Sequence, residues 1–424
     1  MQLDKEKVNE ILPQVDNIRS AQARLEGVVI HTPLMENLIL SERFNARVFL
    51  KREDLQVVRS YKIRGAYNKM SSMSLQDLEK GVVCASAGNH AQGVAYSCQK
   101  LGVKGTIFMP NPTSKQKVNQ VRMFGKDKVE VVISGDTFDD SYSEALDFSD
   151  QRQSVFIHPF DDPMIIEGQG TVGLEILEDS QETIDYLFLP IGGGGLASGV
   201  ATLFKQLSPQ TKIIGVEPMG APAMKRSIEA GQLVTLDKID KFVDGAAVHR
   251  VGSLTFQICR ELLDDLVLVP EGAVCSTILK LYNEEAIVVE PAGALAITAL
   301  RYYQEQIKDK NVVCMVSGNN NDITRTEEIK ERSLLFEGLK HYFIVRFPQR
   351  AGALRDFLEQ VLGPDDDITH FEYSKKNNRE KGPALVGIEI LRPENLQPLL
   401  DRMKARKFTY EYLNENSDLF QYLI

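Results

Sequence analysis

The sequence predicts an α/β protein with parallel sheets flanked by helices, followed by a smaller unit of different pattern. Three observations carry this. Strand-like runs Val82–Ala85, Gly105–Met109, Val129–Ile133, Ile184–Leu189 and Lys212–Val216 alternate with helical runs Ala91–Leu101, Ser114–Phe124, Phe138–Asp150, Ile165–Glu178 and Ala197–Leu207. Such alternation places helices on both faces of parallel sheets. A run of four glycines joins one of those strands to the next helix. Beyond Asn320 the order becomes βαββαβ, the ferredoxin-like layout, which cannot continue the first sheets.

Taken in chain order, the first segment of interest is Ser60-Tyr61-Lys62-Ile63-Arg64-Gly65-Ala66-Tyr67. Ile63 to Met73 reads as a short helix. A lysine at a helix start, withdrawn from water and near the positive end of the dipole, has a lowered pKa and can hold an aldehyde as a Schiff base. Alone, a lysine is more often a solvated surface charge.

Val82-Val83-Cys84-Ala85 runs into Ser86-Ala87-Gly88-Asn89-His90-Ala91-Gln92-Gly93. A small polar loop opening a helix suits a substrate carboxylate. Ser86, Ala87, Gly88, Asn89 and His90 are therefore candidate substrate contacts, and Asn89 can also meet a phenolic oxygen. Ordinary N-capping explains one polar residue here but not the cluster. His90 reads as packed or structurally bonded rather than as a base.

Ile184 to Pro190 reads as a buried strand, and Leu196 to Leu207 as a helix with Leu196, Val200, Leu203, Phe204 and Leu207 at helical spacing. Between them stand Gly192, Gly193, Gly194 and Gly195. With Leu196 they leave bare N–H groups at a positive helix end, a cradle for phosphate. A tight turn needs one glycine, not four. No Lys-Ser/Thr follows, so this is not a P-loop. Ala197 takes the third glycine's place in the dinucleotide fingerprint, and Gly193, Gly195 and Gly199 give only a looser variant. A phosphate cradle together with an aldehyde-holding lysine points to pyridoxal phosphate.

Glu217-Pro218 reads as a strand ending in a turn. Glu290, in Val288-Val289-Glu290-Pro291-Ala292-Gly293, is a lone acid in an apolar run. It either lines a cleft or caps the next helix. The strand Val312 to Val316 leads into Ser317-Gly318-Asn319-Asn320. A serine at a strand's carboxyl end sits where open sheets bind ligands, and its neutral hydroxyl can face a pyridine nitrogen without protonating it.

The segments Ser60–Tyr67, Ser86–Gly93, Gly192–Leu196 and Ser317–Asn320 together resemble the serine/threonine dehydratases, pyridoxal-phosphate enzymes of the tryptophan-synthase-β fold type (fold type II). The resemblance covers about three quarters of the chain and implies two open lobes, a small one of about residues 67–155 inserted in a larger one. It implies that Lys62 carries the cofactor, Asn89 meets its ring oxygen, Gly192 to Leu196 hold its phosphate and Ser317 meets its ring nitrogen. Cysteine synthases are expected to follow their lysine with Asp-Arg, whereas this chain has Ile63-Arg64. Ala87 stands where serine racemases carry a second serine, which disfavours racemisation. Ala223 stands where metal-binding relatives place an aspartate after the Glu-Pro segment, so no metal is expected.

After the charged stretch Asp322 to Leu335, the C-terminal pattern has strands at His341–Phe347, Ile368–Lys375, Leu385–Leu391 and Thr409–Leu413, and helices at Gly352–Val361 and Leu396–Lys404. Pro348-Gln349-Arg350-Ala351-Gly352-Ala353-Leu354 resembles the first loop of ACT-type regulatory domains. That implies an amino-acid effector near Gly352, Ala353 and Leu354, with Tyr373 as a further pocket residue and Ala353→Trp expected to fill the pocket. The division expected is a catalytic domain over 1–325, a linker over 326–338 and an ACT-like domain over 339–424. A single such domain resembles the short biosynthetic threonine dehydratases. The resemblance implies dehydration and deamination of threonine to 2-oxobutanoate and ammonia for isoleucine synthesis, with isoleucine as inhibitor, valine as an alternative effector and a homotetrameric assembly.

Composition agrees. The chain has 424 residues, long enough for more than one domain, and a formal net charge of -10. Interspersed charges of that sign disfavour nucleic acid and anionic membranes. The cysteines Cys84, Cys98, Cys259, Cys275 and Cys314 show no CxxC spacing and read as reduced core thiols of a cytoplasmic protein. Met1 to Glu10 is charged and lacks a signal-peptide core. The apolar stretch Ala286 to Leu300 is interrupted and too short to span a bilayer. Rival readings are a serine dehydratase of the same fold type, a non-catalytic amino-acid sensor, and a nicotinamide enzyme. The last needs an acid about twenty residues past its glycine loop. Glu217 falls near there, but Lys62 and Asn89 weigh against it.

Overall fold

The structure is a computed structural model and describes residues 12–373 and 381–415. The charged start, Met1 to Glu10, and the last two residues of the strand expected over Ile368 to Lys375 lie outside the described residues. Among the described residues the chain forms two compact units. One holds the chain up to Glu271 and again Leu281–Asp322; the other holds Gly272–Lys280 and the chain from Ile323 onward.

The strands of the first unit, in chain order, are β1 (Leu34–Glu36), β2 (Arg47–Arg52), β3 (Val82–Ala85), β4 (Gly105–Met109), β5 (Val129–Ile133), β6 (Val155–Phe156), β7 (Tyr186–Pro190), β8 (Lys212–Pro218), β9 (Asp265–Val269) and β10 (Asn311–Val316). They make two sheets, one of order β1-β2-β10-β7-β8-β9 and one of order β5-β4-β3-β6. Every pairing is parallel except β1 with β2. Parallel strands are covered on both faces and so read as continuous apolar runs. That is why β3 and β4 have the bounds expected from sequence; β5, at the sheet edge with no buried residue, has them because its valines and isoleucine favour a strand.

Each sheet has its own core. Val82, Cys84, Ile107 and Met109 pack against Ala91, Val94 and Cys98 of the helix Asn89–Leu101. In the larger sheet, Leu187, Leu189, Ile213 and Val313 pack against Leu196, Val200 and Phe204 of the helix Gly195–Leu207. Gly199 has a packing role: a β-carbon there would overlap the Ile166 carbonyl and lie 2.6 Å from the Gly170 nitrogen. The helices Pro163–Asp179 and Gly195–Leu207 are therefore in backbone contact.

Sequence reading missed β1, β2, β6 and β9. In β2 the apolar pattern is broken because Lys51 is fully buried, donating to the Thr32 carbonyl at 2.5 Å and to Glu175 at 2.7 Å. Strand β7 starts two residues later than expected. The helix expected over Ile63 to Met73 spans Lys62–Ser71, which makes Lys62 its first residue.

The second unit contains β11 (Lys340–Pro348), β12 (Asp367–Tyr373), β13 (Lys381–Glu389) and β14 (Thr409–Tyr412), with helices Ala353–Gln360 and Leu396–Ala405 between them. The sheet is antiparallel in the order β12-β13-β11-β14. This is the ferredoxin-like βαββαβ arrangement. Phe343, Val345, Phe357, Val386 and Leu399 form its core. Among the described residues no helix is long and apolar enough to cross a membrane.

Candidate active site

Lys62 begins its helix where two distant segments are laced together. Ser60 bridges Gly318 in antiparallel fashion. The Tyr61 N–H donates to the Ser317 carbonyl at 3.3 Å, and the Asn319 N–H to the Arg59 carbonyl at 3.0 Å. Arg59 adopts φ +62, the left-handed region that non-glycine residues enter at a cost. The end of β10 thus fixes the lead-in to Lys62. The lysine amine donates to the Pro159 carbonyl at 2.9 Å and lies 5.5 Å from the Tyr61 ring centroid. Burial pushes the Lys62 ammonium down to about 8, while the Glu290 charge pulls the other way. Loss of water, which the sequence reading named together with the helix dipole, is what lowers it.

Pro159-Phe160 connects the lysine to the glycine loop. Pro159 receives the lysine amine, and Phe160 packs on the loop: a β-carbon at Gly193 would overlap its ring, and one at Gly195 would lie 3.0 Å from its carbonyl. Gly194 adopts φ +93, and a β-carbon there would lie 2.9 Å from Met224 and Thr255 side-chain atoms. The loop's carbonyls are bound away from the cradle. Thr255 donates its hydroxyl to the Gly193 carbonyl at 2.6 Å, and the Ser198 N–H donates to the Gly194 carbonyl at 2.8 Å. The Gly195 and Leu196 N–H groups open the helix and have no intrahelical acceptor.

Asn89 is the first residue of its helix. That helix crosses the Lys62 helix closely, since a β-carbon at Gly93 would lie 3.1 Å from the Lys62 carbonyl. The Asn89 amide donates to Glu290 at 2.6 Å and accepts from the Asn320 amide at 2.6 Å. Glu290 occupies the N-cap position of the helix Pro291–Ala299, but its side chain makes no cap bond. Of its two readings, the cleft is the one its carboxylate serves. Burial pushes that carboxyl up to about 7, with Asp244 adding and the Asn89 amide opposing. The His90 imidazole bonds the Ile157 carbonyl at 2.8 Å and is buried, which pushes it down to about 3. As a correction to its place among the substrate contacts, its side chain is committed to that carbonyl, so only its backbone remains for a ligand. Ser86 accepts from the Gly88 N–H at 3.2 Å, and the space where a Gly88 β-carbon would stand is open. Ser317 is buried at the end of β10.

Residues 25–318 match the family described as pyridoxal-phosphate dependent enzyme, and residues 331–423 match the C-terminal regulatory domain of threonine dehydratase. The chain is 58% identical to the L-threonine dehydratase biosynthetic IlvA of Halalkalibacterium halodurans, covering 97% of this chain and 99% of that one. It is 58% identical to the Bacillus subtilis protein of the same name, covering 99% of both. The processed form of threonine deaminase isoform 2 from Solanum lycopersicum superposes with TM-score 0.71 at 42% identity, covering 76% of this chain and 95% of that one. The chain belongs to the biosynthetic threonine dehydratases.

Membership brings with it fold type II, lyase activity and pyridoxal phosphate as cofactor. The site fits that group. It offers an amine lowered toward neutrality, a glycine cradle built against Phe160, a side-chain amide with an unused N–H, and a serine at a strand's carboxyl end. The Glu217 carboxylate, pushed up to about 8 by burial, accepts from the Met224 and Lys225 N–H groups at 2.7 and 2.8 Å and so caps the helix Ala223–Ala230. Sequence reading missed Pro159, Phe160 and Asn320 as site residues. Asn320 ends the Ser317-Gly318-Asn319-Asn320 segment, but nothing local marked which amide would face Asn89.

In the second unit, Gly352 adopts φ +84 and precedes the helix Ala353–Gln360. Leu354 is exposed, and the Tyr373 ring lies 6.3 Å from that of Phe347. Ala353 is a correction. Its side chain belongs to the domain's own core, so Ala353→Trp would disrupt packing rather than fill a pocket.

Proposed function

We propose that this chain converts L-threonine to 2-oxobutanoate and ammonia, the first step toward isoleucine, and that isoleucine inhibits it through the C-terminal unit. The observation that carries the catalytic reading is the Lys62 amine, lowered to about 8 and held against the Pro159 carbonyl. An amine tuned this way serves as a base near neutral pH. The names borne by the near-full-length relatives support threonine as substrate.

Pyridoxal phosphate, when bound, supplies an electron sink for the pair left as the substrate's Cα–H bond breaks. Lys62 would carry the cofactor at rest and, with threonine bound, would take the α-proton. The Asn89 amide would donate to the ring oxygen, and the N–H groups of Gly192 to Leu196 would hold the phosphate. The Ser317 hydroxyl would meet the ring nitrogen as a neutral group, which suits elimination. The loop Ser86 to His90 takes the substrate carboxylate, with open space at Gly88. The β-hydroxyl takes up a proton and leaves as water. Water then hydrolyses the released enamine to 2-oxobutanoate and ammonia. In the second unit, backbone at Gly352 and Ala353 with the Leu354 and Tyr373 side chains would receive the effector. Resemblance to the family also supports a homotetramer acting in the cytoplasm.

Lys62→Ala tests the catalytic reading. The variant should keep the parent's circular dichroism and melting transition while formation of 2-oxobutanoate falls to background. Near-parental conversion would overturn the assignment.

A further inference from the structure

We infer that Asn320 and Glu290 are positioning residues that set which face of the Asn89 amide meets the cofactor, so that Asn89 presents an N–H to the ring oxygen. The inference rests on the proposed role of Asn89 and extends it to two residues with no assigned role.

The direction of each bond follows from donor chemistry. The Val58 carbonyl can only accept, so the group of Asn320 that lies 3.0 Å from it is its NH2. The same nitrogen lies 2.6 Å from Asn89, whose atom there must be the amide oxygen. The Asn89 nitrogen is thereby turned to Glu290, 2.6 Å away, and spends one of its two hydrogens on the carboxylate. The second hydrogen is left for a ligand in the cleft. Were the amide reversed, its oxygen would face the ring oxygen, and two acceptors would repel.

The chain of bonds is anchored at both ends. At one end the Asn319 N–H donates to the Arg59 carbonyl, tying the residue before Asn320 to the Lys62 lead-in. At the other, the Glu290 N–H donates to the Gly318 carbonyl at 3.1 Å, and a β-carbon at Gly318 would lie 2.6 Å from the Glu290 carboxylate. The Asn320 N–H also donates to that carboxylate. Among the described residues the buried Asn320 side-chain oxygen meets no donor. A buried acceptor without a donor is destabilising. Its retention is accounted for by what the donor end of the same amide does.

The test uses apoprotein, prepared by stripping the cofactor and titrated with pyridoxal 5′-phosphate. Asn320→Asp replaces the donating NH2 by an acceptor, so the Asn89 oxygen loses its partner and the amide can reverse. Cofactor affinity should fall about tenfold, the scale of one hydrogen bond, and the visible absorption band of the reconstituted protein should move. In an Asn89→Ala background the same substitution should change neither reading further. Melting midpoints are recorded in parallel, and Asn320→Ala replaces the aspartate variant if that one does not fold. An unchanged affinity and band in the Asn320 variant, or an equal loss in both backgrounds, would overturn the relay. If Asn89→Ala alone leaves affinity and spectrum intact, the ring-oxygen role of Asn89 fails first and the relay with it.

Discussion

Lys62 shows how burial changes the acid–base behaviour of one side chain. A lysine in water holds its proton to about pH 10.4. Here burial lowers it to about 8 while Glu290 opposes the shift. Only the neutral amine captures an aldehyde, so uptake of pyridoxal 5′-phosphate by the apoprotein should accelerate with rising pH and level off above about 8. Stopped-flow absorbance across pH 6 to 11, spanning both values, measures that midpoint. A midpoint near that of free lysine would show an amine in contact with water. The sign for Glu290 is also fixed. Its charge holds the lysine's proton on, so Glu290→Gln should move the midpoint down.

At the scale of elements, the helix Lys62–Ser71 is held by a buried ionic cluster. Arg64 donates to both oxygens of Glu53 at 2.7 and 2.8 Å and to both oxygens of Glu175 at 2.6 and 2.9 Å. Lys51 adds a third bond to Glu175, and the Thr32 hydroxyl donates to Glu53. Burial works against the Arg64 charge, but the two glutamates more than offset it and leave the guanidinium firmly protonated. Removing one partner from a buried pair costs about 3–5 kcal/mol, because the other charge stays behind. Arg64→Met should therefore lower the urea midpoint by that scale of stability. Glu175 is held below the usual carboxylate range, burial opposing and Arg64 and Lys51 prevailing. Its contribution is present above the unfolded pKa and disappears as pH falls through the folded one. The gap in urea midpoint between parent and Arg64→Met should therefore narrow in acid. A gap that stays constant would mean that the cluster is not what anchors the helix.

For the whole molecule, a catalytic unit of two mainly parallel sheets is followed in the chain by an antiparallel ferredoxin-like unit with its own core. A separate core allows the second unit to bind an effector without lending residues to the chemistry. Coupling between an effector and a substrate site is typically about 1–3 kcal/mol, or 5–150-fold in affinity. Isoleucine should accordingly raise the threonine concentration for half-maximal rate by a factor in that range. Leu354→Trp or Tyr373→Ala, both at exposed positions outside the catalytic unit, should remove the response while leaving the uninhibited rate near the parent's. Threonine saturation curves with and without isoleucine decide this. A parent indifferent to isoleucine and valine would leave the C-terminal unit with a role other than feedback.

The chemistry was legible in the sequence because it is written in short spacings. A glycine run between a strand and a helix, a polar loop opening a helix and a serine ending a strand are each local patterns. The apolar runs of β3 and β4 specify buried parallel strands without knowledge of their neighbours. What only the tertiary structure decided depends on distant partners. Lys62 meets Pro159 from 97 residues away, Asn89 meets Glu290 across 201, and Asn320 reaches Asn89 across 231. Whether Glu290 capped a helix or faced the cleft could not be read from its apolar neighbours, because both roles place an acid at the same position. Strand β2 was hidden for the same reason. Lys51 looks like surface until the fold brings Glu175 to it, and a buried charge is tolerated only where its partner arrives.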